Sequence, residues 1–463
     1  MAFQDLPLEI LPEILQHIVR PQHLASACLV NKKFHQFTVT RLYERVSIYS
    51  WHKDGKIKVI KLFDTLSKYP YLASLLRKLE IRDFPKALPD ADGDIMKQVQ
   101  DGLRNCTNLR ACTWTRDGSL NSDILRVLHS CQNLEELELN GHNDGHYDPR
   151  LLLGFTHLRR ISIIMPSAAV VSQLRPWLSL TGDTLRSLTL ICKASTFVTD
   201  QILESLAPFL VNLEYLHLTG CVKVTHRGVW SILSSNTKGL LGLGLEGVSP
   251  KFHMATLASQ CISSGALIRL RSITLTVNQQ IPMKEWVTGV VELLSTSPLE
   301  LFQIYSSGAF FESPVTDDLW SQLIANHGKR LTRFSVHRML ISLEAIDNIC
   351  SHCTNLEQLF IVVEPNSLDI LADSLGKAKK LRTVHINYPT EAHVDAFPVL
   401  RPERALSIIN RCSPTVTEFG CNTRVWQVER QITYLENGML DVLRKLAPYG
   451  SPEVPEQFLV VRT

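Results

Sequence analysis

The sequence predicts an α/β protein in which a small helical segment precedes a long array of stacked strand-helix units. Three observations predict this class: an apolar spacing that recurs along most of the chain, helix patterns between its copies, and a proline-containing helix pattern before the first copy. At 463 residues the chain could fill about three globular domains. A repeat array grows without closing one core, however, so we expect one helical domain followed by one solenoid.

The recurring spacing is an apolar residue, two others, an apolar residue, one other and a third apolar residue. From Leu109 to Leu381 the leading residues lie 24 to 32 positions apart, where accidental leucine clusters would scatter widely. The last two apolar residues alternate with an exposed one, which is the period of a strand. The good copies are Leu76/Leu79/Ile81, Leu109/Cys112/Trp114, Leu134/Leu137/Leu139, Leu158/Ile161/Ile163, Leu185/Leu188/Leu190, Leu213/Leu216/Leu218, Leu240/Leu243/Leu245, Leu270/Ile273/Leu275, Leu299/Phe302/Ile304, Leu331/Phe334/Val336, Leu356/Leu359/Ile361 and Leu381/Val384/Ile386, with weaker ones at Tyr43/Val46/Ile48 and Val416/Phe419/Cys421.

Helix patterns follow the strands. Three of these patterns begin with a hydroxyl residue, namely Thr199, Thr225 and Ser342. Its side chain can accept a hydrogen bond from a first-turn amide. A strand and a helix in about 27 residues cannot bury their apolar faces alone, so neighbouring units must stack into a curved solenoid.

The repeat resembles the leucine-rich repeat of the cysteine-containing subtype. The fullest match runs from Leu213 through Cys221 to Val224 and Thr225, and the resemblance covers roughly residues 43 to 422. It implies a solenoid with parallel strands on the concave face and helices on the convex face. Such an architecture says little about the ligand.

The segment before the repeats reads as short amphipathic helices. Pro7 and Pro12 suit first helical turns, where the amide hydrogen that proline lacks would be unpaired. Fewer than 45 residues make a small core, so a partner or the solenoid should complete it. Ile10, Ile14, Leu15 and Ile18 are expected to share one apolar stripe.

This segment resembles the F-box. The match comprises Leu6, Pro7, Glu9, Ile10, Ile14, Leu15, Leu29, Val30, Lys32 and Phe34. F-boxes dock on the Skp-type adaptor of cullin-RING ubiquitin ligases, so the resemblance implies that partner and, through it, the ligase. It also implies an adaptor-facing surface formed by Leu6, Pro7, Ile10, Ile14, Leu15, Val30 and Phe34.

A client protein would bind the concave face, where the residues between the apolar anchors project. Aromatic and arginine side chains are common binding anchors, although scattered exposed aromatics are also normal. Between Ser187/Thr189 and Ser272/Thr274 the residues on this face are small and nearly uncharged apart from Tyr215 and His217. A protein segment could therefore approach the backbone there. The predicted client contacts are Tyr215, His217, Tyr305, Arg333, His337, Phe360 and His385.

The predicted domains are a helical domain at 1–42, a solenoid of about 12 to 13 repeats at 43–422, and a C-terminal cap and tail at 423–463. The β-prone tail from Glu456 to Thr463 could pair with the last strand and close the sheet edge, or fold back as a client contact.

Charge and composition favour no nucleic acid or membrane as partner. The net charge is +3, and no apolar run approaches the roughly 18 residues of a membrane span. Without a recognisable secretory signal, the 11 cysteines are expected to be reduced and mostly buried, and the protein to be cytoplasmic, nuclear or both.

Three motifs that mimic chemical sites are better explained by the repeat. Gly242, Gly244 and Gly247 spell a dinucleotide motif but occupy strand positions. Cys350 and Cys353 lack the second ligand pair that structural zinc needs. The run from His142 to Asp148 offers metal ligands but reads as an exposed turn. We therefore expect no catalytic residue, metal or cofactor.

The leading hypothesis is a non-catalytic substrate receptor of an SCF-type ubiquitin ligase. The first alternative is a leucine-rich-repeat scaffold or inhibitor whose N-terminal helices only cap the solenoid. The second is a repeat protein with a metal-dependent hydrolase site around His142 and Asp148.

Overall fold

The computed structural model describes residues 9–18, 20–50, 52–85, 92–193, 195–277, 282–310, 314–389, 399–434 and 440–449. Three short helices come first, α1 (Ile10–Leu15), α2 (Pro21–Cys28) and α3 (Lys32–Glu44). The last of these runs directly into strand β1 (Arg45–Ile48), so no linker separates the N-terminal helices from the sheet.

The strands form a 16-stranded sheet whose order follows the chain from β1 to β16. Described pairings up to β14 are parallel, and those of the last two strands are antiparallel. The remaining strands are β2 (Lys78–Ile81), β3 (Ala111–Trp114), β4 (Glu136–Asn140), β5 (Arg160–Ile164), β6 (Ser187–Ile191), β7 (Tyr215–Thr219), β8 (Gly242–Glu246), β9 (Ser272–Val277), β10 (Leu301–Phe310), β11 (Arg333–Met339), β12 (Gln358–Val362), β13 (Thr383–Asn387), β14 (Glu418–Cys421), β15 (Arg424–Tyr434) and β16 (Leu440–Pro448).

Helices connect most of the parallel strands, and short 3-10 turns replace or extend them in places. They are α4 (Gly55–Lys68), α5 (Pro70–Ser74), α6 (Asp92–Asn105), α7 (Ser122–His129), α8 (Ala168–Thr181), α9 (Asp200–Leu206), α10 (His226–Ser235), α11 (Met254–Ser264), α12 (Met283–Leu294), α13 (Pro314–His327), α14 (Leu343–His352), α15 (Leu368–Leu375) and α16 (Pro402–Arg411).

The apolar spacing in the sequence becomes the register of the sheet. Leu79, Cys112 and Leu137 pair across β2, β3 and β4, and each is at most 2% exposed. Leu243 and Ile273 pair in the same way across β8 and β9. Each of the good copies therefore contributes a strand whose anchors enter the core, which confirms the predicted array of parallel strands and helices. The cysteine-containing subtype stays a prediction.

By its internal contacts the chain forms two compact units, each with its own core. The first is mainly Met1–Val198 with Ser205–Leu213, and the second mainly Thr199–Glu204 with Glu214–Tyr449. Phe63 and Trp114 pack in the first core with ring centroids 6.1 Å apart. In the second, Phe302 and Phe334 stack at 5.7 Å and Trp320 meets Phe334 edge-on at 5.5 Å.

Side-chain caps fix the helix starts. The Thr225 hydroxyl accepts the Arg227 amide at 3.2 Å, and the Ser342 hydroxyl accepts the Ala345 amide at 3.1 Å. Both were predicted to open helices. The buried carboxylate of Asp200 adds a contact from the preceding helix, because it accepts the amides of Thr225 and Gly228 at 2.8 and 3.1 Å and the Thr225 hydroxyl at 2.7 Å.

Past residue 422 the structure adds an element that the sequence analysis did not predict. Strands β15 and β16 form an antiparallel hairpin that continues the sheet beyond β14. The tail from Glu456 to Thr463 lies outside the described residues, so both predictions for it stay predictions.

Candidate functional site

The first helix divides its apolar residues between two faces. Leu11 and Leu15 are 4% and 3% exposed, whereas Ile10 and Ile14 are 41% and 38% exposed. Residues four apart lie above one another on a helix, so each pair forms its own stripe. The helix therefore has one buried stripe and one solvent-facing apolar stripe.

The buried stripe belongs to a small core shared by the three N-terminal helices. Leu11, Leu15 and Ala27 form its centre, and Phe34 and Phe37 pack against it partly buried. This placement corrects the predicted role of Leu15 as an adaptor contact, because the helix turns its side chain inward. Phe34 is half-buried and supports the core from α3.

Two neighbouring apolar residues lie exposed between α2 and α3. Leu29 and Val30 are 87% and 61% exposed, directly before Asn31. The Asn31 side chain accepts the amides of Lys33 and Phe34 at 3.0 Å each and so fixes the start of α3. The cap holds this apolar pair at a defined helix start.

The predicted adaptor contacts differ in their exposure, and their binding to an adaptor stays a prediction. Ile10, Ile14 and Val30 are exposed, as a docking surface requires, and Leu6 and Pro7 lie outside the described residues. Leu29 was not among the predicted contacts although it is the most exposed of these side chains. The Leu29-Val30 pair of the motif was the signal that could have indicated it.

Helix α3 also connects this small core to the repeats. Thr38 and Val39 on α3 are 0% and 3% exposed, and the helix contacts both α5 and β1. The N-terminal helices therefore both cap the first repeat and present an apolar surface to solvent.

In the second unit, the sheet face opposite the core carries a row of rings. His217 stands in register with Gly244 across β7 and β8, and Phe360 with His385 and Gly420 across β12, β13 and β14. Tyr305 is in register with His337 across β10 and β11. The predicted client residues thus share one sheet face, which follows from the alternation of side chains along a strand.

Glycines on neighbouring strands make room for three of these rings. A Cβ at Gly242 would lie 2.6 Å from the Tyr215 ring, and one at Gly244 would lie 2.5 Å from His217 Nδ1. A Cβ at Gly420 would collide with the imidazole of His385. The rings therefore lie against the backbone of the next strand, and side-chain packing explains two glycines of the dinucleotide-like motif, Gly242 and Gly244.

The other rings contact one another. Tyr305 and His337 stack with centroids 4.8 Å apart, and Phe360 stacks on His385 at 6.4 Å. The Arg333 guanidinium lies 4.7 Å from the Phe360 ring centre, in the geometry of a cation–π contact.

Burial corrects part of the client prediction. Tyr305, His337, Phe360 and His385 are only 7%, 5%, 1% and 1% exposed, because they pack on one another and on the sheet. Burial lowers the pKa of His337 to about 3 and that of His385 to about 4, so both imidazoles are neutral near pH 7. Only Tyr215 is exposed, and His217 and Arg333 are half-buried. Their contact with a client stays a prediction.

The corresponding face of the first unit carries a charged network that the sequence analysis missed. Glu80 on β2 accepts from Arg45 Nη2 at 2.9 Å and from the Ser47 hydroxyl at 2.5 Å. Arg82 binds both carboxylate oxygens of Glu138 at 2.9 and 3.1 Å. Alternate charged residues on successive strands were the available signal, since they share a sheet face.

The thiols and the loop histidine do not form a chemical site in the described part of the chain. All eleven cysteines are free and ten are buried, and burial raises the pKa of Cys106 and Cys353 to about 12. His142 contacts Asp117 through Nδ1 and Asp144 through Nε2, so the two carboxylates lie on opposite sides of the ring. Among the described residues no group of three or more potential ligands converges on a metal position.

None of the helices in the described ranges combines the length and apolarity that crossing a membrane requires.

Comparison with known proteins identifies the N-terminal region. Residues 3–49 match the F-box-like family, so an F-box-like domain comprises α1, α2, α3 and β1. No curated protein matches the chain. A solved structure similar to the chain is the crystal structure of the Rad7 and Elc1 complex in yeast, with 16% identity and a TM-score of 0.41, covering 85% of this chain and 96% of that one.

Proposed function

We propose that the protein is the non-catalytic substrate-recognition subunit of an SCF-type cullin-RING ubiquitin ligase. In this role the F-box-like domain binds a Skp-type adaptor and the sheet face binds a client protein. The observation that carries the proposal is the F-box-like match at residues 3–49 together with the exposed apolar side chains inside it.

The adaptor-binding surface consists of Ile10, Ile14, Leu29 and Val30. Fully burying a side chain of this size contributes about 1.5 to 3 kcal/mol. With the exposures observed, covering all four would contribute on the order of 3 to 7 kcal/mol before the cost of association. This is a substantial part of a micromolar affinity, about 8 kcal/mol, so losing one or two of these residues should be measurable.

Client binding is proposed for the β7 to β9 part of the second unit. Tyr215 is 37% exposed beside the glycines of β8, and Thr274 follows on β9. An exposed ring beside small side chains lets a protein segment contact the sheet closely, with the tyrosine as anchor.

We assign no chemical step to this chain; ubiquitin transfer belongs to the other subunits. The raised pKa values support this assignment for the thiols, because a buried thiol that stays protonated is a poor nucleophile near pH 7. Burial raises the pKa of Cys131 to about 11 and that of Cys261 to about 12. A ligase subunit of this kind acts in the cytoplasm, the nucleus or both.

The adaptor assignment is tested with a double variant, Ile14→Asp with Leu29→Asp, in full-length protein. Both side chains are exposed, so the fold should persist while one charge on the exposed stripe of α1 and one between α2 and α3 block burial against an adaptor. We expect the affinity for a recombinant Skp-type adaptor to fall at least 100-fold by calorimetry.

The matched control is Ile57→Asp, which changes an isoleucine that is 53% exposed on α4, outside the F-box-like domain. This control should bind the adaptor within twofold of the unaltered chain. Equal binding by the double variant and the control, with unchanged far-UV circular dichroism, would refute the proposal.

One observation favours a second function, a repeat scaffold capped by its N-terminal helices. Thr38 and Val39 are buried where α3 meets the first repeat, as a cap requires. If the unaltered chain binds no Skp-type adaptor, the cap alone explains the helices.

A further inference from the structure

The last strand leaves an edge of the sheet without a strand neighbour among the described residues. In the strand order, β16 pairs with β15 on one side and ends the sheet on the other. A long edge strand presents unpaired amides and carbonyls that can pair with another chain. This strand is nine residues long, and its one proline, Pro448, is its last residue.

The hydrogen-bond alternation identifies which residues face outward. The Val428 amide donates to the Thr417 carbonyl, so the backbone amides and carbonyls of the even-numbered residues of β15 point toward β14. The backbone groups of successive residues in an antiparallel strand point in opposite directions. The backbone groups of Glu429 therefore point toward its partner Lys445 on β16. The backbone groups of Val442, Arg444 and Leu446 consequently point away from β15.

Apolar side chains accompany these backbone groups. Val442 and Leu443 are each 52% exposed, and Ile432, which stands opposite Val442 on β15, is 63% exposed. Proteins usually protect such an edge with charged side chains, bulges or prolines. This strand has the charged residues Asp441, Arg444 and Lys445, yet its middle also has an exposed apolar pair.

The charges of the strand are self-complementary. If two copies of β16 align antiparallel about a twofold axis at Leu443, Asp441 of one copy stands opposite Lys445 of the other, twice. The same register places Val442 opposite Arg444, and both have outward-pointing backbone groups. Opposite charges on directly facing residues stabilise a strand pair, so side chains and backbone favour the same alignment.

We propose that two copies of this protein associate through their β16 edges in this register. The interface is short, and interfaces of small area are generally weak or transient. The dimer should therefore form reversibly at micromolar concentrations. In a ligase it would present two client-binding faces and two adaptor-binding domains in one particle.

The test uses sedimentation velocity of the full-length protein over a range of concentrations. The unaltered chain should show a monomer–dimer equilibrium. Asp441→Lys should weaken the dimer at least tenfold, because the new lysine at position 441 then faces Lys445 of the other copy at each end of the pairing. Lys445→Asp should do the same, and it is made together with Glu429→Gln because Glu429 faces Lys445 within the hairpin.

Mixing the two charge variants is the decisive measurement. The mixture should form a heterodimer with an affinity within threefold of the unaltered dimer, since residues 441 and 445 again have opposite charges at both ends of the pairing. The proposal is overturned if the chain stays monomeric at a protein concentration 100 times the expected micromolar dissociation constant, as it would if its own tail paired with the edge. It is also overturned if neither variant weakens the dimer, or if the mixture does not regain the affinity of the unaltered dimer.

Discussion

Removal of the Asp200 carboxylate should destabilise the second unit far more than removal of an exposed aspartate. Asp200 is 8% exposed and accepts three hydrogen bonds at the start of α10. A hydrogen bond to a charged group contributes about 1.5 to 3 kcal/mol. Losses within one network do not add, so we take each bond near the lower limit of this range. Losing all three should then lower the free energy of unfolding of Asp200→Ala by about 4 kcal/mol.

One variant separates the hydrogen bonds from the charge, and a second is an exposed control. In Asp200→Asn the remaining oxygen can still accept the Thr225 and Gly228 amides, so the loss should be about 1 kcal/mol. Asp123→Ala removes an aspartate of α7 whose side chain is 59% exposed and paired with Arg126, and it should cost at most about 1 kcal/mol.

The assay is urea unfolding followed by far-UV circular dichroism, with midpoints compared at a shared slope. A second measurement uses Gly228→Ala, whose added Cβ would lie 2.5 Å from Asp200 Oδ1. This substitution should cost less when Asp200 is already alanine, because the collision is then removed. Equal midpoints for Asp200→Ala and Asp123→Ala would refute the capping role.

Three further outcomes follow from the packing. Leu216→Ala should cost about 2 to 5 kcal/mol in urea unfolding by opening a core cavity, and adaptor affinity should stay within twofold; a selective loss of adaptor binding would contradict the separation of the two functions. The pKa of His337 is about 3 in the folded chain and about 6.5 in the unfolded chain. Between pH 6.5 and pH 3 the unfolded chain therefore binds more protons, so the free energy of unfolding falls as the pH drops through this range. His337→Phe should reduce that fall in thermal melts at pH 6, 5 and 4, and an unchanged dependence would exclude His337 as its source. Gly420→Ala should lower the melting temperature by displacing the His385 ring, and a variant as stable as the unaltered chain would show that the ring moves without cost.

The proposed binding surfaces should respond separately to mutation because a repeat array is held together by contacts between neighbours. A core loss at Leu216 is expected to remain in the second unit, whereas a charge at Ile14 affects only the exposed stripe of α1. Adaptor binding and client binding can therefore be removed one at a time.

The positions of the strands could be predicted from the sequence, because the anchors recur with one spacing and each must enter the core. Leu79 and Leu243 are buried as predicted. The β15–β16 hairpin was missed because its residues do not follow that spacing.

Exposure within the candidate surfaces could not be predicted in the same way. A helical pattern places Ile14 and Leu15 on adjacent sides of α1, but only the packing of α2 and α3 against this helix decides that Leu15 is the buried one. The ring-bearing face presents the same difficulty: alternation predicted that Phe360 points away from the core, yet it is 1% exposed because rings on neighbouring strands cover one another.

The sequence by itself determined the architecture and the F-box resemblance, since periodicity and short motifs are properties of neighbours along the chain. The tertiary structure alone decided which apolar residues remain open to a partner and that a hairpin continues the sheet beyond β14. Solvent exposure depends on residues that are distant in sequence and adjacent in space, and no local pattern records which of them arrive.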